Sequence, residues 1–317
     1  LGDERLDSLA SITEPEKITP AYLKFVDVAG LVKGASRGEG LGNQFLGNLR
    51  EVDLLIHVIA DYESGIRRSA SGEELIEKAE TVNQELILAD LATVERRISK
   101  IEKKAKSGEK DAAKELKGLK RGYAHLNDGR LLATMEKEGD EPVPVKELNL
   151  LTDKRSVYVL NRSESNIHEE IPPEMNRYAA MQKALLTAVC AKLEVELQEL
   201  DTEERELFLA AYKLEKTALY NIADICRRVL GLITFFTIKG SETRAWLINN
   251  GTRAIDAAGE VHSDMQKGFI AAEAISFDAL MDCGSLAAAR EKGMARIEGK
   301  NYIVRDGDVL FFRFSGG

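Results

Sequence analysis

Three nearly continuous apolar runs of strand length constrain this chain most tightly. They are Asp53-Leu54-Leu55-Ile56-His57-Val58-Ile59-Ala60, Ser156-Val157-Tyr158-Val159-Leu160 and Leu185-Leu186-Thr187-Ala188-Val189-Cys190. A strand that is apolar at successive rather than alternate positions has both faces buried, as in parallel sheets covered by helices. A fourth run, Leu23 to Val28, carries Asp27 near its end. The runs end in polar or small residues and are separated by helical segments. This pattern predicts an open parallel α/β sheet, whose ligands sit at the C-terminal ends of its strands.

Residues 83–131 break the rhythm. Ile87, Leu91, Val94, Ile98, Ile101 and Ala105 recur at spacings of three and four. After Ser107-Gly108 a similar register resumes with Ala112, Leu116, Leu119, Tyr123 and Leu126. Two heptad-like helices joined by a short turn predict an antiparallel hairpin inserted into the α/β unit. The chain has a net charge of −9, yet residues 95–130 hold 12 Lys/Arg against 6 Asp/Glu. Those cations admit two readings: the solvated face of a helical pair, or a basic arm reaching for RNA phosphates. Lys103, Lys104 and Lys106 are the candidate contacts of such an arm.

Asp201-Thr202-Glu203-Glu204 is a capping box opening a helical stretch that runs to about Leu230. Beyond it, Ile233–Ile238 and Arg244–Ile248 flank Lys239-Gly240-Ser241-Glu242 as a hairpin. A helix over 254–265 and late strands at 271–275, 302–304 and 309–314 complete a compact β-grasp-like module. Nothing in it pairs a nucleophile with a base, and Trp246 reads as a core residue rather than a stacking platform. Three cysteines without close pairing fit a reducing, cytoplasmic setting. No run of about 18 apolar residues is present, so no membrane partner is expected, and the acidic balance disfavours indiscriminate nucleic-acid binding, DNA included.

The chemistry concentrates in FVDVAGLVKGASRGEGLGNQFL, Phe25 to Leu46, which resembles the magnesium and γ-phosphate segment of a P-loop nucleotide hydrolase. A carboxylate at a strand end, Asp27, can hold Mg²⁺ through the ion's water shell. A glycine three residues on, Gly30, lets its backbone N–H approach a phosphate with no Cβ in the way. Gly34, Gly38, Gly40 and Gly42 suit a segment that reorders on hydrolysis. Leu31 stands where many such hydrolases carry a water-orienting Gln. A second element, Asn161-Arg162-Ser163-Glu164, follows a predicted strand and reads either as a base-recognition loop or as a polar loop. Glu164 is one methylene longer than the carboxylate of guanine-reading Asn-Lys-x-Asp loops, which misplaces it for guanine and leaves adenine tolerable. Arg162 is an unusual choice in its place.

The string DVAGLVKGASRGEGLGNQFLGNLREVD, the Asn-x-x-Glu loop, the hairpin and the C-terminal KGFIAAEAISFDAL and RIEGKNYIVRDGDVLFFRF together resemble the Obg-like ATPases of the YchF type over nearly the whole chain. The resemblance implies a split nucleotide-binding domain (1–82 and 150–200), an inserted coiled coil (83–149), connecting helices (201–232) and a β-grasp TGS domain (233–317). It implies Mg²⁺-dependent hydrolysis of ATP in preference to GTP, association with the ribosome and its rRNA, and a hydrophobic residue, Leu31, replacing the catalytic Gln. Asp27 and Gly30 would meet magnesium and γ-phosphate, while Asn161, Arg162, Glu164 and Ala191 would surround adenine. One departure is the absence from this chain of the N-terminal Gly-x-x-x-x-Gly-Lys-[Ser/Thr] loop and its switch Thr, so a further N-terminal segment is expected. The alternative is a nucleotide-independent ribosome- or RNA-binding scaffold with a degenerate core.

Overall fold

Helix α1 (Glu4–Thr13) is started by Asp3, whose side chain accepts a hydrogen bond from the Arg5 N–H, and is followed by the short strand β1 (Lys17–Thr19). Next come β2 (Leu54–Ala60), α2 (Gly72–Lys106), α3 (Lys110–Asn127), β3 (Arg155–Asn161), α4 (Pro173–Met181), β4 (Leu185–Val189) and α5 (Ala191–Gln198). Helices α6 (Thr202–Ala211) and α7 (Ala218–Leu230) lead into β5 (Leu232–Lys239), β6 (Glu242–Asn249), α8 (Ala254–Val261), α9 (Ser263–Lys267) and β7 (Phe269–Ser276). The chain finishes with α10 (Phe277–Cys283), α11 (Leu286–Glu291), β8 (Arg296–Glu298) and β9 (Asp308–Phe314). This computed structural model describes residues 2–27, 47–62, 69–136 and 148–315.

Two units form. One comprises Val26–Ile222 and is built on the parallel sheet β2-β3-β4. Strand β3 is its centre: Ser156 to Leu160 are all buried, the signature anticipated for a strand covered on both faces. One face packs Ile59, Tyr158 and Leu160 against Leu75 and Ala79 of α2 and Met175 and Tyr178 of α4. Residues 23–27 form no strand, contrary to expectation. They make no ladder, and Phe25 and Val26 are exposed; an unpaired segment leaves its backbone groups to water. Val28, the end of that expected strand, lies outside the described residues.

Helix α2 is one unbroken helix of 35 residues. It is opened by a reciprocal capping box between Ser71 and Glu74, eleven residues before the heptad pattern becomes visible. Its first half packs on the sheet and its second half on α3. There Ile87, Val94 and Ile101, one per heptad, meet Ala112, Leu119 and Leu126. Ion pairs Arg97–Glu115 and Lys120–Glu102 (3.0 Å) flank the seam. Asp90, fully buried, accepts hydrogen bonds from the backbone N–H and hydroxyl of Thr152 (both 2.8 Å) and from Arg50, and so fixes the helix where it leaves the sheet. The helical stretch expected from Asp201 to about Leu230 consists of two helices, α6 and α7. The Asp201–Glu204 capping box starts α6, and the backbone turns at Lys213 with a positive φ of 52°.

The other unit comprises Ala223–Gly317 together with Leu1–Phe25. Its six-stranded sheet runs β1-β6-β5-β9-β7-β8, with β1 parallel to β6. Leu6 and Leu9 of α1 enter a core with Phe236, Ile275, Leu280 and Val309 on one face. Phe235, Ile248, Ala254, Ala257, Ala272 and Leu310 fill the other. Arg5 donates to Asp306 (2.7 Å) and lies over the Phe236 ring, while Asp306 also accepts the Thr234 N–H. The resemblance implies residues 1–25 in the α/β domain; the apolar stripe of α1 and the free edge of β6 draw that segment here instead. Residues 302–304, read as a strand, make only one isolated bridge, Ile303 to Arg253. Trp246 packs in the second core with its ring stacked on Phe235 and Arg244 over it.

Two outcomes follow from this packing. Leu9→Ala removes a side chain with 0% exposure and should destabilise the C-terminal unit by about 2–5 kcal/mol. Urea unfolding followed by the fluorescence of Trp246, the single tryptophan, will register this only if α1 belongs to that unit. His57 is buried with no hydrogen-bond partner for Nδ1, and burial holds its imidazole down at about 4 from the ordinary 6.5. A base depressed in the folded state takes up its proton more readily when unfolded. Its stabilisation is therefore complete above about pH 6.5 and is lost as pH falls toward 4, by at most about 3 kcal/mol. His57→Leu should flatten the pH dependence of chemical denaturation over that window; an unchanged slope would refute the assignment.

Candidate functional site

Parallel register brings three strand ends together. Ala60 of β2 is level with Asn161 of β3, and Asn161 with Val189 of β4. The Asp61 N–H donates to the Asn161 carbonyl (2.9 Å) and the Arg162 N–H to the Val189 carbonyl (2.7 Å), so the chain leaving β3 is held on both sides. Two of the residues selected from sequence meet here directly. Asn161 Oδ1 accepts the backbone N–H of Ala191 (3.0 Å), the first residue of α5. A carboxamide carries an acceptor and a donor group; the acceptor closes the two loops on each other, and the Nδ2 group is what the side chain can offer a ligand.

Glu164 begins a short 3₁₀ turn, Glu164–Asn166, and pairs with Lys192 of α5, whose ammonium pKa is raised by that bond. Both side chains are partly or largely exposed, so the pair is a weak, adjustable contact rather than a buried strut. Asn161, Glu164 and Ala191 thus gather at one edge of the sheet.

Arg162 behaves otherwise. It was expected beside the base, but its side chain is turned inward and only 2% exposed. Nε donates to Asp61 Oδ2 (2.8 Å), and the terminal nitrogens donate to the carbonyls of Glu169 and Glu170 (the latter 3.3 Å). A charge removed from water needs such partners, and a guanidinium with each of its three nitrogens engaged in this way is held in the interior rather than presented to a ligand. Sequence reasoning missed Asp61. The available signal was its position as the first charged residue after the apolar run of β2, combined with the odd Arg162.

Asp27 is an exposed carboxylate, whereas Gly30 and Leu31 lie outside the described residues. Among the described residues no group of three or more His, Cys, Asp or Glu could hold a metal ion. A lone exposed carboxylate still fits magnesium bound with nucleotide, because that ion draws most of its ligands from water and phosphate. Lys103, Lys104 and Lys106 are exposed in the last turn of α2, about the hairpin tip, where cations also suit the negative end of the helix dipole. Among the described residues no helix is long and apolar enough to cross a membrane.

Two family models match the chain: one described as "50S ribosome-binding GTPase" over residues 9–90, and YchF-GTPase_C, "Protein of unknown function (DUF933)", over residues 232–315. Relatives named "Ribosome-binding ATPase YchF" are 40% identical in Bacillus subtilis (strain 168) and 41% identical in Escherichia coli O157:H7. Each alignment covers 99% of this chain and 87% of the relative. The solved structure of the Schizosaccharomyces pombe YchF GTPase superposes with a TM-score of 0.84 at 27% identity, over 99% of this chain and 86% of that one. The expectation that this chain lacks the phosphate-binding loop finds no support in these matches. On sequence and structure alike, the chain belongs to the YchF family of Obg-like ATPases.

Proposed function

We propose that this protein is a ribosome-associated nucleoside triphosphate hydrolase that acts as a switch and binds ATP in preference to GTP. The observation that carries this reading is the Asn161–Ala191 hydrogen bond at the C-terminal edge of a parallel sheet, with Glu164 beside it. Ligands of open α/β sheets bind at that edge. The Asn161 carboxamide has a donor group left for a ring nitrogen acceptor, which adenine supplies. Guanine asks for a carboxylate aimed at its N1–H and amino group. Glu164 is longer than Asp and is drawn toward Lys192, which disfavours that geometry. The names of the relatives, ribosome-binding ATPases, agree with ATP as the nucleotide and the ribosome as the partner.

In this mechanism Asp27 would hold magnesium through water, and Gly30 would donate its backbone N–H to the γ-phosphate. The bound ion would supply neutralisation of the phosphate charge. Leu31 has no acceptor with which to orient an attacking water, so another group must do so, and turnover should be low until a partner supplies it. The helical pair α2–α3 serves as the inserted arm, with Lys103, Lys104 and Lys106 meeting rRNA phosphates. The sheet of the C-terminal unit serves as the TGS module.

Replacing Lys103, Lys104 and Lys106 with Glu should weaken co-sedimentation with ribosomes and lower the dependence of binding on salt, since each phosphate contact contributes to that slope. Binding unchanged across a salt series would dismiss the arm. Glu164→Asp in the full-length protein should move nucleotide competition toward GTP; an unaltered ATP-to-GTP ratio would remove Glu164 from base recognition.

A further inference from the structure

The buried pair Asp61–Arg162 goes beyond what base recognition requires, and it rests on the nucleotide-switch reading given above. Asp61 has 1% exposure and Arg162 3%. The Asp61 carboxylate is divided between two elements. Oδ2 accepts from Arg162 Nε (2.8 Å), one residue after Asn161 and two before Glu164. Oδ1 accepts the Ala70 N–H (3.0 Å), immediately before the Ser71 cap that starts α2. A second contact runs alongside: Asn166 Nδ2 donates to Ser69 Oγ (2.6 Å), and Ser69 Oγ donates to Glu169, whose carbonyl takes an Arg162 terminal nitrogen. Burying both charges is costly unless the geometry is held by further hydrogen bonds; here each guanidinium nitrogen has an acceptor and each carboxylate oxygen a donor.

We propose that Asp61 is a positioning residue for nucleotide-base discrimination. It acts through Arg162 by fixing the loop that carries Asn161 and Glu164 against the start of α2. The physical reason is directional. The Arg162 guanidinium is planar and forked, and its bonds to Asp61, Glu169 and Glu170 set its orientation. The backbone that leads from Asn161 to Glu164 is thereby drawn inward at its second residue. An apolar side chain at 162 could fill the same volume but would impose no such direction. The arrangement also assigns Arg162 its purpose: it supports the loop from beneath and does not touch the base.

The test uses the full-length protein and competition of ATP and GTP against a fluorescent nucleotide, with the thermal midpoint recorded in parallel. Asp61→Asn keeps the side-chain size and an acceptor for the Ala70 N–H but removes the charge facing Arg162. It should reduce the ATP-to-GTP affinity ratio severalfold. The double variant Asp61→Asn/Arg162→Met replaces the charged pair with an uncharged one of similar bulk and keeps an acceptor for the Ala70 N–H. It should recover the wild-type thermal midpoint while the affinity ratio stays reduced, which a merely structural role would not produce. The proposal is overturned if Asp61→Asn leaves the ratio intact, whatever the midpoint does, or if the uncharged pair restores the ratio. A wild-type protein without ATP preference would overturn the nucleotide reading and this inference together; that result is distinct from a preference that ignores Asp61.

Discussion

The parallel register of β2, β3 and β4 is the constraint from which the site follows. In a parallel sheet every strand ends on the same side, so the residues just past three separate runs arrive at one edge whatever their distance in the chain. Here that brings together Asp61, Asn161 with Arg162, and Cys190 with Ala191. The register itself is held by burial of Val157 to Leu160 on both faces of β3. The side chains at the edge can then be polar and specialised, since they are not needed to hold the sheet together.

That much was legible in the amino-acid order. Continuous apolar runs located β2, β3 and β4 to within a residue or two, although burial on both faces is realised in β3 alone: β2 alternates, with Val58 exposed, and β4 is mostly half-buried. The seam of the helical pair was equally open to reading through its heptad spacing. The start of α2 at Gly72 was not, because its first half packs on a sheet and an opposing helix instead of a heptad partner. Asn161, Glu164 and Ala191 could be selected by motif and lie together. Arg162 could be selected but not oriented: a motif names a position, while the inward turn depends on Asp61, some hundred residues earlier.

The N-terminal segment shows a different limit. Its apolar residues, Leu6 and Leu9, fit an amphipathic helix that could face any core, and no local rule names which one. The choice was made by long-range features, the free edge of β6 that accepts β1 and the Asp306 carboxylate that receives Arg5. Residues 1–25 consequently form part of the C-terminal unit's core while continuing directly into the stretch that begins with Asp27. The backbone itself thus connects the two units at a second place besides α7.

Helix α2 carries a mechanical consequence. At 1.5 Å per residue its 35 residues extend about 52 Å, without a proline or a break in its hydrogen-bonded ladder. Such a rod converts rotation at its base into translation at its end. Its first half is packed on the sheet and Asp90 is anchored to Thr152, so the lever is the part beyond Asp90, about 24 Å long, and a tilt of about 5° there displaces the tip by about 2 Å. The free-standing length of the rod is therefore set by the Asp90–Thr152 contact, while the Asp61 carboxylate at the other end holds the turn from which the helix starts.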